Sequence, residues 1–269
     1  GGWWSYHVLG WGGYWAWDPV ENAAFMPWLT ATAFLHSVMI QERRRMLKLW
    51  NLTLIILTFS LTLFGTFLTR SGISGSVHAF SQGSVGQFFL GFLALVMLGA
   101  FSLLAWRLDR LRAQGALDSV VSPESAFLLN NLFLVAAAFT VFFGTVFPLL
   151  SEALRGTKVS VGAPFFNLVN IPIFLALIFL MGVGPLIAWR RASAENLRRN
   201  FLKPVLIGIA GAAVCRALGV ANALVLLCLA LVVFVAATIV LDFARAARAR
   251  RRTGDGWLDG TWGLALRHH

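Results

Sequence analysis

Seven apolar runs, each of about twenty residues, are separated along this chain by segments rich in arginine or glycine. A helix of that length crosses the hydrocarbon core of a bilayer. Charged residues make up only 12% of the chain, whereas about a quarter of a soluble domain is charged. The sequence therefore predicts an all-α fold, a polytopic transmembrane helical bundle with about seven to eight spans. The predicted spans cover residues 23–41, 50–69, 87–106, 125–149, 168–189, 203–217 and 220–242, and an eighth begins at Trp262.

The basic residues are divided unequally between the two ends of these spans. One set of loops holds 18 of the 22 Lys and Arg residues, and the other holds only Arg70, Arg155, Lys158 and Arg216. Loops rich in Lys and Arg remain in the cytoplasm, so the poorer side is predicted to face the periplasm. Because the bases lie between apolar runs, the net charge of +11 orients a membrane protein and does not indicate a nucleic-acid partner.

Four parts are expected along the chain. Residues 1–22 form a periplasmic Trp-rich segment, and residues 23–112 form transmembrane helices joined by a periplasmic loop at 71–86. Residues 113–124 form a cytoplasmic linker, and residues 125–269 form further transmembrane helices, the last of them truncated. The chain has no initiator Met and no visible signal peptide, so we expect it to be an internal part of a longer protein.

Tryptophan is concentrated at the start of the chain. Six of the eleven tryptophans lie within residues 1–28, and Trp11, Trp15 and Trp17 lie within seven residues of one another. An aromatic belt at the membrane interface is one interpretation. The other is a flat aromatic platform for a large planar ligand, because the nearby glycines allow the backbone to approach a ligand closely.

The run Trp-Gly-Gly-Tyr-Trp-Ala-Trp-Asp-Pro-Val-Glu-Asn-Ala, which begins at Trp11, resembles the WWD signature of haem-handling proteins in cytochrome c maturation. Its continuation from Asp18 is similar to the CcmF branch, the haem lyases of the bacterial system. The segments Gly-Thr-Phe-Leu-Thr-Arg-Ser-Gly from Gly65, Ser-Val-His-Ala-Phe from Ser76 and Trp-Gly-Leu from Trp262 also resemble that family. Tyr14 departs from the pattern, which usually has a tryptophan there.

The resemblance implies a haem substrate held on the periplasmic side. Its site would comprise Trp11, Trp15, Trp17 and Asp18, with His78 as an axial ligand of the iron and the second ligand before residue 1. The residues alone leave two of these roles open. A loop histidine is often only a solvated polar residue, and Asp18 followed by Pro is also a typical helix N-cap.

Two further histidines are predicted to lie at similar depth near the cytoplasmic side. His36 lies about two helical turns before Arg43, and His268 lies six residues after Trp262. A bis-histidine haem needs two imidazoles at the same depth, and the resemblance implies that these two bind a transmembrane haem b. A hydrogen bond between helices is the alternative role for His36. His269 could compete with His268.

Other polar residues give weaker indications. Arg70, Arg155 and Lys158 are predicted on the periplasmic side, where they are either solvated or paired with haem propionates. Cys215 and Cys228 have no metal-binding spacing. A CxxCH motif is absent from the sequence, so the chain is not itself a c-type cytochrome.

The resemblance implies a haem lyase of the bacterial inner membrane. Such a protein presents periplasmic haem to the CxxCH thiols of apocytochrome c and reduces it through the haem b, with quinol as the expected electron donor. The implied partners are the haem chaperone CcmE, CcmH and CcmI, apocytochrome c and membrane lipid. No catalytic side chain is assigned, because the cofactor carries the chemistry. The alternatives are a haem transporter or delivery protein without ligase activity, and a scaffold whose tryptophans form only a belt.

Overall fold

Long α-helices account for most of the chain in the computed structural model, which describes residues 7, 15–72, 84–111, 123–184 and 194–251. All seven of the long helices in these ranges are apolar enough to cross a membrane. This confirms the predicted all-α polytopic fold, and the eighth predicted span lies outside the described residues. The helices are α1 (Pro19–Arg44), α2 (Lys48–Ser71), α3 (Val85–Trp106), α4 (Pro123–Arg155), α5 (Ala163–Val183), α6 (Ala194–Ala217) and α7 (Ala223–Arg251), and a 3-10 helix, Leu108–Leu111, follows α3.

Several helices extend beyond the apolar runs. α4 reaches Arg155, although the predicted span ended at residue 149, and α7 continues through the basic run to Arg251. Within α4, Pro148 is accommodated inside the helix, and the Ser151 hydroxyl donates a hydrogen bond to the Pro148 carbonyl at 2.9 Å. Hydropathy marks the segment that suits lipid, whereas backbone hydrogen bonding determines where a helix ends. The two boundaries therefore differ by a turn or more.

The chain divides into two compact units. Unit 1 comprises residues 1–117 and 128–173, and unit 2 comprises residues 118–127 and 174–269. In unit 1, α2 packs against both α1 and α3. The core of this unit is a buried cluster that α1, α2 and α4 share, formed by Ala23, Met26, Phe67, Leu68 and Val141. Gly65 allows close packing of α2 on α1, since a Cβ there would lie 3.3 Å from the Ala23 Cβ.

Side-chain hydrogen bonds fix the register of α1 on α2 at two levels. In the middle of the helices, the Thr58 hydroxyl donates to the Thr30 hydroxyl at 2.8 Å. Near the end of α1, Asn51 accepts from the Ser37 hydroxyl and donates to Gln41 Oε1 at 2.8 Å. Ser37 and Asn51 are buried. Polar pairs of this kind hold membrane helices together because a lone polar group is costly in hydrocarbon.

Unit 2 is built on the packing of α6 against α7. Phe234 is buried there with Val235, and the Phe201 ring lies 6.4 Å from the Phe234 ring. Gly208 brings the two helices close, because a Cβ at that position would lie 2.8 Å from the Ala230 carbonyl oxygen. Cys215 and Cys228 are half-buried free cysteines on these helices. Within the described residues of this unit there is no histidine.

Candidate functional site

The start of α1 is fixed by a capping box around Asp18. Asp18 is the N-cap residue, and its carboxylate accepts a hydrogen bond from the Val20 backbone N–H at 2.9 Å. The Glu21 carboxylate accepts from the backbone N–H of Asp18 at 3.2 Å and of Ala16 at 3.0 Å. Pro19 occupies the first helical turn, where its missing N–H costs nothing. The predicted role of Asp18 as a helix N-cap is therefore confirmed, and a haem contact by its carboxylate stays a prediction.

Trp17 is held by residues from α1, α4 and α5. Its ring stacks on Phe166 with centroids 5.0 Å apart, and its indole N–H donates to Asn167 Oδ1 at 2.8 Å. Its carbonyl accepts from the Asn22 side chain at 3.1 Å, and the same amide nitrogen lies 3.1 Å from the Thr145 hydroxyl. Trp17 has a positive φ of 56°, a conformation that costs about 1–3 kcal/mol in a non-glycine residue. These contacts stabilise it.

Trp15 has a different environment from Trp17. It is 43% exposed, and its ring meets the Trp17 ring edge-on, at an interplanar angle of 87°. The Trp15 ring also contacts Phe25, which stacks on the exposed Trp28 with centroids 5.6 Å apart. Trp15 and Trp17 therefore do not form one flat surface. Trp15 offers an exposed ring, whereas one face of Trp17 is covered by Phe166.

Three residues that contact Trp17 or its neighbour Asn22 were not predicted from the sequence, namely Phe166, Asn167 and Thr145. A Cβ on Gly144 would lie 2.6 Å from the Phe166 ring, so α4 and α5 approach closely here. Asn167 lies just before the apolar run predicted from residue 168 and is exposed, so hydropathy gave no signal for it. We call residues 15–22 with Thr145, Phe166 and Asn167 the Trp17 end of α1.

His36 lies near the other end of α1 and contacts α4. Its Nδ1 is 2.6 Å from the side-chain nitrogen of Asn130, and His36 is half-buried. Next to Asn130, Asn131 is 1% exposed, and its two amide atoms have no hydrogen-bond partner among the described residues. We call His36 and Asn130 the His36 end. The predicted hydrogen bond between helices is thus present, and it leaves a ligand role chemically open because imidazole has two nitrogens.

The side chain at His36 fits haem iron. Imidazole is a common axial ligand of haem, and metal-binding histidines usually have their other nitrogen held by a hydrogen-bonding group. Among the described residues there is no group of three or more His, Cys, Asp or Glu that could hold a metal ion by itself. Haem iron needs fewer protein ligands than a bare metal ion, because the porphyrin supplies four of them. His36 on α1 would supply a single imidazole.

Three of the predicted ligands and contact residues lie outside the described residues, namely Trp11, His78 and His268. Three bases that were candidates for the haem propionates are described, and each is exposed: Arg70, Arg155 and Lys158. Arg70 is in the last turn of α2 and Arg155 in the last turn of α4. Since α2 and α4 both reach the Trp17 end, these bases are on that side of unit 1. His7 is exposed.

The relatives of this chain described below are all cytochrome c biogenesis proteins. The family described as "Cytochrome C assembly protein" matches residues 1–76. The chain is 49% identical over 216 residues to the cytochrome c-type biogenesis protein CycK of Rhizobium meliloti, covering 80% of this chain and 32% of the relative. It is 47% identical over 207 residues to CcmF of Pseudomonas aeruginosa, covering 77% of this chain and 31% of the relative.

A solved structure, the cytochrome c haem lyase CcmF, matches with a TM-score of 0.67 and 38% identity. The match covers 96% of this chain and 39% of that protein. The chain thus spans about a third of the curated relatives and about two fifths of the solved structure. The resemblance that the WWD segment indicated is confirmed: this chain belongs to the CcmF family of cytochrome c biogenesis proteins.

Proposed function

We propose that this chain is the part of a cytochrome c haem lyase that holds haem at the Trp17 end of α1 and binds a redox haem b at the His36 end. The observation that carries the proposal is the pairing of two different environments on one helix. An exposed tryptophan on a rigid support lies at one end, and a half-buried imidazole held by an amide lies at the other. The family membership supports the same assignment.

The separation of the two ends supports two haem sites. From Pro19 to His36, α1 rises by about 26 Å at 1.5 Å per residue. Two axial nitrogens on one iron are only about 4 Å apart, because each metal–imidazole bond is about 2 Å long. His36 and a ligand near Trp17 must therefore bind different irons. The second ligand proposed for the His36 site is His268, and the ligand proposed for the haem substrate is His78.

The residues at the Trp17 end would bind and orient the haem substrate. The exposed Trp15 ring would stack on the porphyrin, and Trp17, anchored by Phe166 and Asn167, would hold Trp15 edge-on in a fixed direction. Each cysteine thiol of apocytochrome c adds across a haem vinyl group, with the sulfur bonding to carbon and the hydrogen completing the addition. This addition consumes no electrons, but it needs reduced thiols and reduced iron.

At the His36 end, a bound haem b would supply one-electron transfer toward the substrate haem, with quinol as the proposed donor. The chain's own part is to hold the imidazole. Ser37, the neighbour of His36, hydrogen-bonds to Asn51 on α2, and Asn130 on α4 contacts Nδ1. Asn130 thereby orients the ring, as an axial ligand requires, and the bond from Ser37 holds α1 against α2.

We also propose the inner membrane as the location, with the Trp17 end in the periplasm. The long apolar side chains exposed along α3 suit contact with lipid: Phe88, Leu95, Leu98 and Leu103. At the C-terminal end of α3, the Arg107 guanidinium lies 4.8 Å from the Trp106 ring. A basic residue beside an aromatic ring is typical of a cytoplasmic interface. The haem chaperone CcmE, CcmH, CcmI and apocytochrome c are the proposed protein partners.

Cytochrome c assembly tests the proposal. The full-length protein would be expressed in a strain that lacks its own copy, and covalent c-type haem would be measured by haem staining. Trp15→Ala should reduce the yield strongly. Trp106→Ala, which removes an equally large exposed ring from α3, is the matched control and should retain it. A normal yield in Trp15→Ala, with protein amounts equal, would contradict haem presentation by Trp15.

A further inference from the structure

Two adjacent asparagines on α4 have different environments. Asn130 is half-buried, and its amide nitrogen lies 2.6 Å from His36 Nδ1, which is 94 positions away in the sequence. Asn131 is 1% exposed, and neither of its amide atoms has a hydrogen-bond partner among the described residues. Neighbouring residues on a helix point about 100° apart. Asn130 therefore makes the contact with His36, and Asn131 is directed away from it.

The chemistry of imidazole limits what Asn130 can do. In a neutral histidine one ring nitrogen carries the proton and the other has a lone pair. When the Asn130 N–H donates to Nδ1, the ring proton is on Nε2. An iron bond at Nε2 requires the proton on Nδ1 instead, and Nδ1 then needs an acceptor. Rotating the Asn130 amide by half a turn brings Oδ1 to the same place.

Asparagine is suited to both situations. Its amide carries a donor and an acceptor of nearly equal size, and its terminal torsion has two roughly equivalent orientations. Aspartate would serve only the form with the proton on Nδ1, and leucine would serve neither form. A partner that can change roles holds the ring before haem arrives and again after ligation.

We infer that Asn130 is a positioning residue for His36: its amide turns over when haem b binds, and its oxygen then accepts from Nδ1–H. Asn130 has this role only if His36 is a haem b ligand, as proposed above. Hydrogen bonding at Nδ1 raises the basicity of a ligating imidazole. Asn130 should therefore stabilise ferric haem more than ferrous haem and lower the midpoint potential.

Redox titration of haem b in the purified full-length protein tests this inference. Asn130→Leu keeps the number and branching of the side-chain heavy atoms and removes both hydrogen-bonding groups. It should weaken haem retention by about 10- to 100-fold and raise the midpoint potential. A tenfold difference between the ferric and ferrous affinities corresponds to about 59 mV for one electron. Asn130→Asp, which is a stronger acceptor, should retain haem and lower the potential.

Asn131→Leu is the matched control, since it makes the same change one position away, and its potential should equal that of the wild-type protein. An unchanged potential in Asn130→Leu would overturn the inference. So would equal shifts in Asn130→Leu and Asn131→Leu, or loss of haem from both Asn130 variants. Failure of the ligand assignment itself would be seen separately, as undiminished haem b in His36→Ala.

Discussion

The two ends of α1 satisfy their polar groups in different ways. At the Trp17 end, Asn22 is 1% exposed, and its amide nitrogen contacts both the Trp17 carbonyl and the Thr145 hydroxyl, whereas its amide oxygen has no hydrogen-bond partner among the described residues. Beside the His36 end, Asn131 is equally buried, and neither of its amide atoms has a hydrogen-bond partner among the described residues. The first end is tied together by hydrogen bonds and ring stacking from three helices. At the second end, the Asn130 amide nitrogen lies 2.6 Å from His36 Nδ1.

This difference matches the two proposed tasks. A site that hands haem to another protein needs a rigid support beneath an exposed surface, and Trp17 supports Trp15 in that way. A resident redox haem needs an imidazole held in one orientation, and the amide of Asn130 lies where it can hold the His36 ring.

The largest expected difference is between the two tryptophans. Trp17→Ala removes a stacked ring and a hydrogen bond from the packed region, and should lower the free energy of unfolding by about 3 kcal/mol, near the lower end for large core rings because Trp17 is half-buried. Trp15→Ala should cost about 1 kcal/mol or less, as expected away from the core. Thermal unfolding of the purified full-length proteins would measure both.

Both tryptophan variants should impair cytochrome c assembly, but Trp17→Ala should lower stability much more than Trp15→Ala. Trp17→Phe is the control, since it keeps a ring to stack on Phe166 and loses the indole N–H. It should be intermediate in stability. Equal stability of Trp15→Ala and Trp17→Ala would contradict the division into an exposed ring and its support.

A smaller difference is expected between two of the buried asparagines, Asn22 and Asn131. Asn22→Leu removes the amide that contacts the Trp17 carbonyl and Thr145, and should destabilise the protein by about 1–3 kcal/mol because buried partners are left unsatisfied. Asn131→Leu replaces an amide without partners and should be neutral or stabilising. Chemical denaturation in detergent would compare the pair. Similar losses in both would show that Asn131 has a structural role of its own.

The smallest effect is expected at the helix cap. Asp18→Ala should cost about 1 kcal/mol, whereas Asp18→Asn should cost almost nothing because asparagine is an equally good N-cap. Because the carboxylate is also predicted to contact haem, Asp18→Asn should keep normal stability and lower the yield of cytochrome c. A wild-type yield would contradict the haem contact and leave Asp18 as a helix cap alone.

Local sequence predicted the spans and the start of α1 well. Hydropathy gave seven helices because the bilayer sets their length, and the pattern Asp-Pro-Val-Glu gave a helix cap because all of its partners lie within five residues. It could not distinguish Trp15 from Trp17. That distinction depends on Phe166 and Asn167, about 150 positions away, and on a close approach at Gly144. Asn130 was missed for the same reason.

The helix ends show a second limit of the sequence. α4 extends to Arg155 because the helical backbone continues past Pro148, a feature that hydropathy does not measure. From their depths, His36 and the Trp-rich segment were predicted to belong to separate haem sites. In the structure, Trp17 lies at one end of α1 and His36 lies near the other, and the assignment of a haem to each end remains a prediction.

The reduced-minus-oxidised absorbance spectrum of the full-length protein, compared with that of His36→Ala, is the decisive experiment for two haem sites on α1. We expect the wild-type protein to have a b-type spectrum and His36→Ala to lack it. We also expect that the variant still receives haem at the Trp17 end when haem is supplied. Asn131→Leu, purified in parallel, should keep the spectrum. An undiminished b-type spectrum in His36→Ala would contradict the claim that α1 carries two separate haem functions at its two ends.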